Sequence, residues 1–230
     1  MKSILLINGN APKDLLNSTL YGADALAYDL YDAVDETNKD AGRLLLQEAL
    51  QFFDFGETGV YVRVNPMSTC GAKDIAVAGR GRPQAFILPD ADAKSLPAAD
   101  AAIAELESAS GFAAESIKLI PMIASAHAVE HAGDLVASCK RIIGAIFDAK
   151  RFLQSLGVPE NDDPGQVLYA RSKVALACRA AGIEAIDRPY ANVKNAPGLE
   201  ADARVGKGLG YTGKLAVSGG QVPLINEIFA

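Results

Sequence analysis

The chain has 230 residues, 50% of them hydrophobic and 22% charged, which is enough apolar material to bury a large core. A formal charge of -6 with no block of lysine or arginine excludes the electrostatic footprint of a nucleic-acid or anionic-membrane binder. Cys70, Cys139 and Cys178 are odd in number, far apart and without a C-x-x-C pair, so they predict reduced thiols in the cytoplasm rather than a disulfide framework or a structural zinc site.

The opening MKSILLINGNAPKD has too short an apolar run for a secretory leader. No apolar stretch reaches the roughly 18 residues that a membrane span requires. From this first run to the other terminus, short segments rich in Ile, Val and Tyr alternate with amphipathic ones, the pattern of repeated βα units. The predicted strands are 3–9, 25–32, 60–66, 85–91, 117–125, 142–149, 184–190 and 213–220. Between the second and third, residues 35–53 show the three-to-four spacing of a half-buried helix at Leu44, Leu45, Glu48 and Ala49. After the fourth, residues 98–111 form an alanine-rich helix with Ile103 and Leu106 inward and Gly111 as its stop. Eight such units predict an α/β fold of the (β/α)8 TIM-barrel type, in preference to an open doubly wound sheet. No linker divides the chain, so one domain over residues 1–230 is expected, with the polar loop at 160–165 as a break in the helix layer.

A barrel gathers function in the loops after its strands. That directs attention to residues 8–10, 29–32, 63–66, 90–92, 124–127, 148–151, 187–190 and 218–221. Arg63 lies in the apolar run VYVRVNP, and a buried arginine requires either an anionic ligand or an acid from a neighbouring strand such as Asp29 or Asp32. The ligand is the preferred reading, since a guanidinium binds carboxylates in a bidentate fork.

Two motifs tempt and fail. HAVEH, 127–131, has the H-x-x-E-H spacing of an inverted zinc-protease site, but a catalytic zinc needs a third protein ligand and the chain has no other histidine. Exposed helix residues are the simpler reading of His127, Glu130 and His131. GLGYTGKL, 208–215, misses the phosphate-loop pattern by one residue, because Leu215 stands where a magnesium-binding hydroxyl belongs. It also precedes a strand instead of following one, which suits a helix end and turn.

Strings along the whole chain resemble the citrate lyase beta subunit family of the HpcH/HpaI aldolase superfamily: SILLINGNAPKDL, YGADALAYDLYDAVDETNKDAGR, VYVRVNPMST, AFILPDAD, LYARSKVALACRAAGIEAIDRPYANV and LGYTGKLAVSGGQVPLINEIF. The resemblance implies the barrel independently. It also implies a carbon-carbon lyase that splits a 3-hydroxy-acyl thioester into a shorter thioester and a 2-oxo acid, with Mg²⁺ and a strand arginine stabilising the developing charge. Arg63 stands at that arginine's position.

The family's magnesium ligands are a glutamate after the fifth strand and an aspartate after the sixth. Here those positions hold Ala124 and Arg151. Other family positions differ too: Tyr31 replaces a glutamate, Asp90 and Asp92 replace a lysine and a glutamate, and Ser218 and Gly219 replace a histidine and a proline. Exchanging two carboxylates for a methyl group and a guanidinium leaves no ordinary seat for a hard dication, so no cofactor is expected. A relocated metal site would need Asp148, Asp90, Asp92 or Glu130.

The implied substitute is fixed cationic charge. In a lyase or thioester hydrolase of this kind Arg63, Lys150 and Arg151 would bind a small carboxylate or acyl thioester, with Asp32 as the acid-base group and Arg63 the catalytic cation. The alternative is a catalytically silent relative that binds a carboxylate or partners an active subunit. The resemblance further implies a homo-oligomer, commonly a trimer. The chain stops about ten residues after its last strand, where many relatives carry a segment that covers a neighbour's site.

Overall fold

The computed structural model describes residues 1–161 and 163–230, so Asp162 of the 160–165 loop lies outside the described residues. Eight parallel strands close into a barrel in the order β1 to β8. They are β1 (Ser3–Asn8), β2 (Ala25–Asp29), β3 (Gly59–Arg63), β4 (Ala85–Leu88), β5 (Lys118–Ile123), β6 (Gly144–Phe147), β7 (Glu184–Asp187) and β8 (Gly213–Ala216). Pairing of β1 with β8 closes the cylinder. Among the described residues, no helix is long and apolar enough to cross a membrane.

Helices return the chain from each strand to the next. The first half of the ring is α1 (Pro12–Asn17), α2 (Lys39–Phe52), α3 (Gly71–Ala78) and α4 (Ser95–Ser110). Two short helices, α5 (Ala126–Glu130) and α6 (Ala132–Ala137), follow β5, and α7 (Ala149–Ser155) and α8 (Leu168–Ala181) follow β6. The ring ends with α9 (Ala196–Gly208) and α10 (Val222–Ile228).

The strands end earlier than their apolar runs suggest. Leu30, Val64 and Ala91 are buried but lie beyond the strands, because loop residues at a barrel rim also sit under helix tops. Helix α2 is rotated relative to its expected face. Its buried positions are Lys39, Gly42, Arg43, Leu46, Ala49 and Leu50, while Leu44 is 57% exposed. Arg43 can turn inward because Asp74 accepts from its Nε at 2.5 Å, which compensates the buried charge. Helix α4 buries Ile103 and Leu106 and stops at Gly111, whose φ of 70° suits a glycine.

Two apolar layers hold the structure. Ile4, Ala25, Ala27, Tyr61, Ile87 and Ile120 belong to the cluster that fills the barrel, together with Met122, Ile146, Ile186 and Leu215. A larger cluster lies between strands and helices. Side chains alternate between these layers along each strand, so the inner row can be followed upward to the mouth.

Candidate active site at the barrel mouth

Counting two residues on from the inner positions Ala27, Tyr61, Met122 and Ile146 gives Asp29, Arg63, Ala124 and Asp148. Strand register sets Asn8, Asp29 and Arg63 side by side on three adjacent strands. Asp29 and Arg63 are buried, at 1% and 4% exposure, so each needs the other. Arg63 Nη1 donates to Asp29 Oδ2 at 3.3 Å, and its Nη2 lies 2.9 Å from Asp32 Oδ2. Both acids that the sequence offers as partners are therefore engaged.

Arg151 completes the cluster from the opposite side. Its Nη2 donates to Asp32 Oδ1 at 2.7 Å, its Nε lies 3.5 Å from Asp148 Oδ2, and its Nη1 lies 4.0 Å from Asp90 Oδ2. Asp148 also caps α7 by accepting from the Arg151 backbone N–H at 3.1 Å, which ties the helix start to the site. The Tyr31 ring packs against both guanidinium groups, with centroid distances of 5.2 Å to Arg63 and 4.5 Å to Arg151.

Of the two readings of Arg63, the pairing with acids from a neighbouring strand is the one seen in the free chain. Asp29, Asp32, Asp90 and Asp148 surround two arginines, so the guanidinium charge is already neutralised locally. Low dielectric favours this outcome, since a buried guanidinium without a counter-charge costs more than a paired one. Lys150 is exposed and takes part in none of these contacts among the described residues. The structure thus brings Arg63, Arg151 and Asp32 together and leaves Lys150 aside.

The acids differ in character. Burial pushes the Asp29 carboxyl up, outweighing the pull of Arg63. Burial likewise raises Asp148 against the Arg151 N–H and both guanidinium groups. At Asp32 burial also opposes the charge, but Arg63 and Arg151 outweigh it and hold the carboxyl below the usual range. Asp32 is therefore a carboxylate at neutral pH and can accept a proton rather than donate one.

A polar brace beneath the mouth fixes the β2 loop. Lys39 Nζ donates to the carbonyls of Leu30 and Tyr31 at 2.7 and 2.6 Å. Asn65 Nδ2 donates to the same Leu30 carbonyl at 3.0 Å and to Asp74 Oδ2 at 2.7 Å, and Asp74 in turn holds Arg43. Sequence reasoning placed Asn65 in a rim loop but gave Lys39, Arg43 and Asp74 no role, although Lys39 and Arg43 stand in the quoted string YGADALAYDLYDAVDETNKDAGR. On the other flank Gly9 abuts the β2 backbone, where an added Cβ would meet the Asp29 carbonyl oxygen at 2.9 Å. Gly9→Ala is expected to cost about 1–3 kcal/mol and to disturb Asp29, which a denaturant melt checks.

The remaining expected residues fall elsewhere. Asp187 does not face the mouth: it pairs in register with Lys214 on the outer side of the barrel, beneath α8 and α9. The alternation of the strand explains this, because Ile186 takes the inward place. The lysine of GLGYTGKL is thus locked between Asp187 and Asp202 at 2.8 and 2.6 Å. His127, Glu130 and His131 are exposed; the two imidazole rings lie 4.5 Å apart and Glu130 is held by Tyr169 and Lys173. Asp92 accepts from the N–H groups of Lys94 and Ser95 at the start of α4. Ala124 is buried and offers only a methyl group. Among the described residues, no group of three or more His, Cys, Asp or Glu side chains is placed to hold a metal ion.

Comparison with known proteins agrees with the barrel fold. The chain is 33% identical to a citrate lyase subunit beta of Haemophilus influenzae over all of its own length and 79% of the relative's. It is 26% identical to a mitochondrial citramalyl-CoA lyase of Mus musculus, covering 99% of this chain and 71% of that one. The fold superposes on a citrate lyase beta subunit from Mycobacterium tuberculosis, complexed with oxaloacetate and magnesium, with a TM-score of 0.82 at 21% identity, covering 99% of this chain and 96% of the other. A model of the HpcH/HpaI aldolase/citrate lyase family matches residues 2–219, and the chain belongs to that family.

Proposed function

We propose that the protein is a CoA-related carbon-carbon lyase that cleaves a 3-hydroxy-acyl thioester, with Arg63 and Arg151 in the place of the family's magnesium. Family membership and the lyases among its relatives support the reaction class. The observation that carries the metal-free reading is Arg151 itself, whose Nη2 sits 2.7 Å from Asp32 at a position where the family supplies a metal carboxylate. With Ala124 at the other ligand position, the residues present do not fit a six-coordinate dication.

In the proposed reaction a base removes the proton of the 3-hydroxyl group. The oxygen electrons form the new carbonyl, the C2–C3 bond breaks, and its electron pair passes to the thioester enolate. Protonation of that enolate at carbon gives the shorter thioester, and the 2-oxo acid departs. Arg63 and Arg151 hold the substrate's carboxylate and the oxygen that becomes the ketone, where charge changes during the step. Asp32, a carboxylate in the free chain, is the group at hand to accept the hydroxyl proton.

Titration calorimetry with oxaloacetate, with and without Mg²⁺, tests the metal-free part. Equal affinity in both conditions, and thioester cleavage unchanged by EDTA, are the expected results; binding that appears only with Mg²⁺ refutes it. The second reading, a silent relative that only binds carboxylates, is favoured by Tyr31, whose ring packs against both guanidiniums at the position of a family glutamate. Turnover on citryl, citramalyl or malyl thioesters would dismiss it.

A further inference from the structure

The two arginines of the mouth converge on one anion, and that anion belongs to the protein. Asp32 gives one oxygen to Arg63 Nη2 at 2.9 Å and the other to Arg151 Nη2 at 2.7 Å. Exposure separates the three side chains: 5% for Arg63, 24% for Arg151 and 51% for Asp32. The half-exposed carboxylate is the member that can leave most cheaply, because water replaces its contacts more readily than those of the buried cations.

The cations keep their places without it. Asp29 still holds Arg63, Asp148 still holds Arg151, and the Tyr31 ring supports both. Arg63 Nε, moreover, is buried with no hydrogen-bond partner among the described residues. An unmade buried hydrogen bond is costly, and Asp32 does not relieve it. A carboxylate that reached Nε as well as Nη2 would form the side-on fork that guanidinium favours.

We infer that Asp32 is an internal stand-in for the ligand, an autoinhibitory contact that a small carboxylate must displace to reach Arg63 and Arg151. This rests on the reading of the mouth as a 2-oxo-acid site. The exchange is favourable only for a ligand that gains a contact Asp32 lacks, and the free Nε supplies one. Displacement also removes from Asp32 the two cations that weaken it as a base, so ligand arrival prepares the proton acceptor.

Calorimetry with oxaloacetate on the full chain, comparing the wild type with Asp32→Asn and Asp32→Ser, tests the inference. Both variants are expected to bind at least tenfold more tightly while their lyase turnover falls, a split that a purely structural role would not give. Melting curves close to that of the wild type are expected, since the substituted side chain is half exposed and the arginines keep their other partners. Affinity that is unchanged or weaker in either folded variant, with the wild type still binding, overturns the inference and leaves the carboxylate site standing. Absence of binding in the wild type and both variants overturns the site reading and the inference together.

Discussion

Arg63→Ala is expected to lower kcat/KM for thioester cleavage by about 10²–10³-fold, the usual effect of removing a donor aimed at developing charge. The side chain is buried, bonded to two acids and continuous with the Tyr31–Arg151 stack, so its loss removes both a ligand contact and the electrostatic centre of the mouth. Part of the defect could come from Asp29, which would be left buried without its counter-ion. Arg63→Lys separates the two effects, because an ammonium keeps a charge near Asp29 but cannot form the guanidinium fork. It should melt closer to the wild type than the alanine variant and remain catalytically poor. A folded Arg63→Ala protein with activity within a few-fold of the wild type would refute Arg63 as the cationic pole of the reaction.

The largest stability effect is expected away from the mouth, at Asp187. Arg171 grips this carboxylate in bidentate fashion, at 2.8 Å from Nε and 2.5 Å from Nη2, and Lys214 Nζ donates to it at 2.8 Å. Asp202 from α9 shares both cations and also accepts from Arg188 Nη2 at 2.8 Å. The group is a network of three cations and two anions that joins β7, β8, α8 and α9. Asp187→Ala would leave Arg171 and Lys214 buried against one remaining carboxylate, at a cost of about 3–5 kcal/mol. For a chain of this size that lowers Tm by roughly 6–20 °C. A shift smaller than ~1 kcal/mol in a urea melt would mean that water reaches the network.

The same network predicts an acid limb. Burial opposes the charge on Asp202, but Lys214, Arg171 and Arg188 outweigh it and lower its carboxyl to about 2. A group depressed in the folded state stabilises the fold above its unfolded value, near 4, and that contribution is lost as pH falls from about 4 to about 2. Asp202→Asn should therefore be less stable at neutral pH, on the order of 2 kcal/mol, with the difference from wild type shrinking across that window.

Much of the architecture was legible without coordinates. Eight apolar runs alternating with amphipathic segments identified the barrel, because a strand buried on both faces must be apolar throughout and its return helix must be amphipathic. Arg63 stood out as a charge in such a run, and Ala124 and Arg151 stood out as departures from the residues that the family resemblance implies at those positions. Strand ends and the buried face of α2 were not, since Leu30 and Val64 look the same in a rim loop as in a ladder, and Arg43 turns inward only because Asp74 meets it.

The residue types at the mouth were thus decided by sequence, whereas their state of charge pairing was decided by tertiary structure. Asp32 and Arg151 are 119 positions apart, and no local pattern predicts that one carboxylate will bridge two guanidiniums. Pairing of this kind depends on which side chains share a low-dielectric space, and only closure of the barrel brings the ends of β2, β3 and β6 into that space. Strand alternation likewise turned Asp187 and Lys214 away from the mouth into a structural network, although each stands beside a segment that reads as functional.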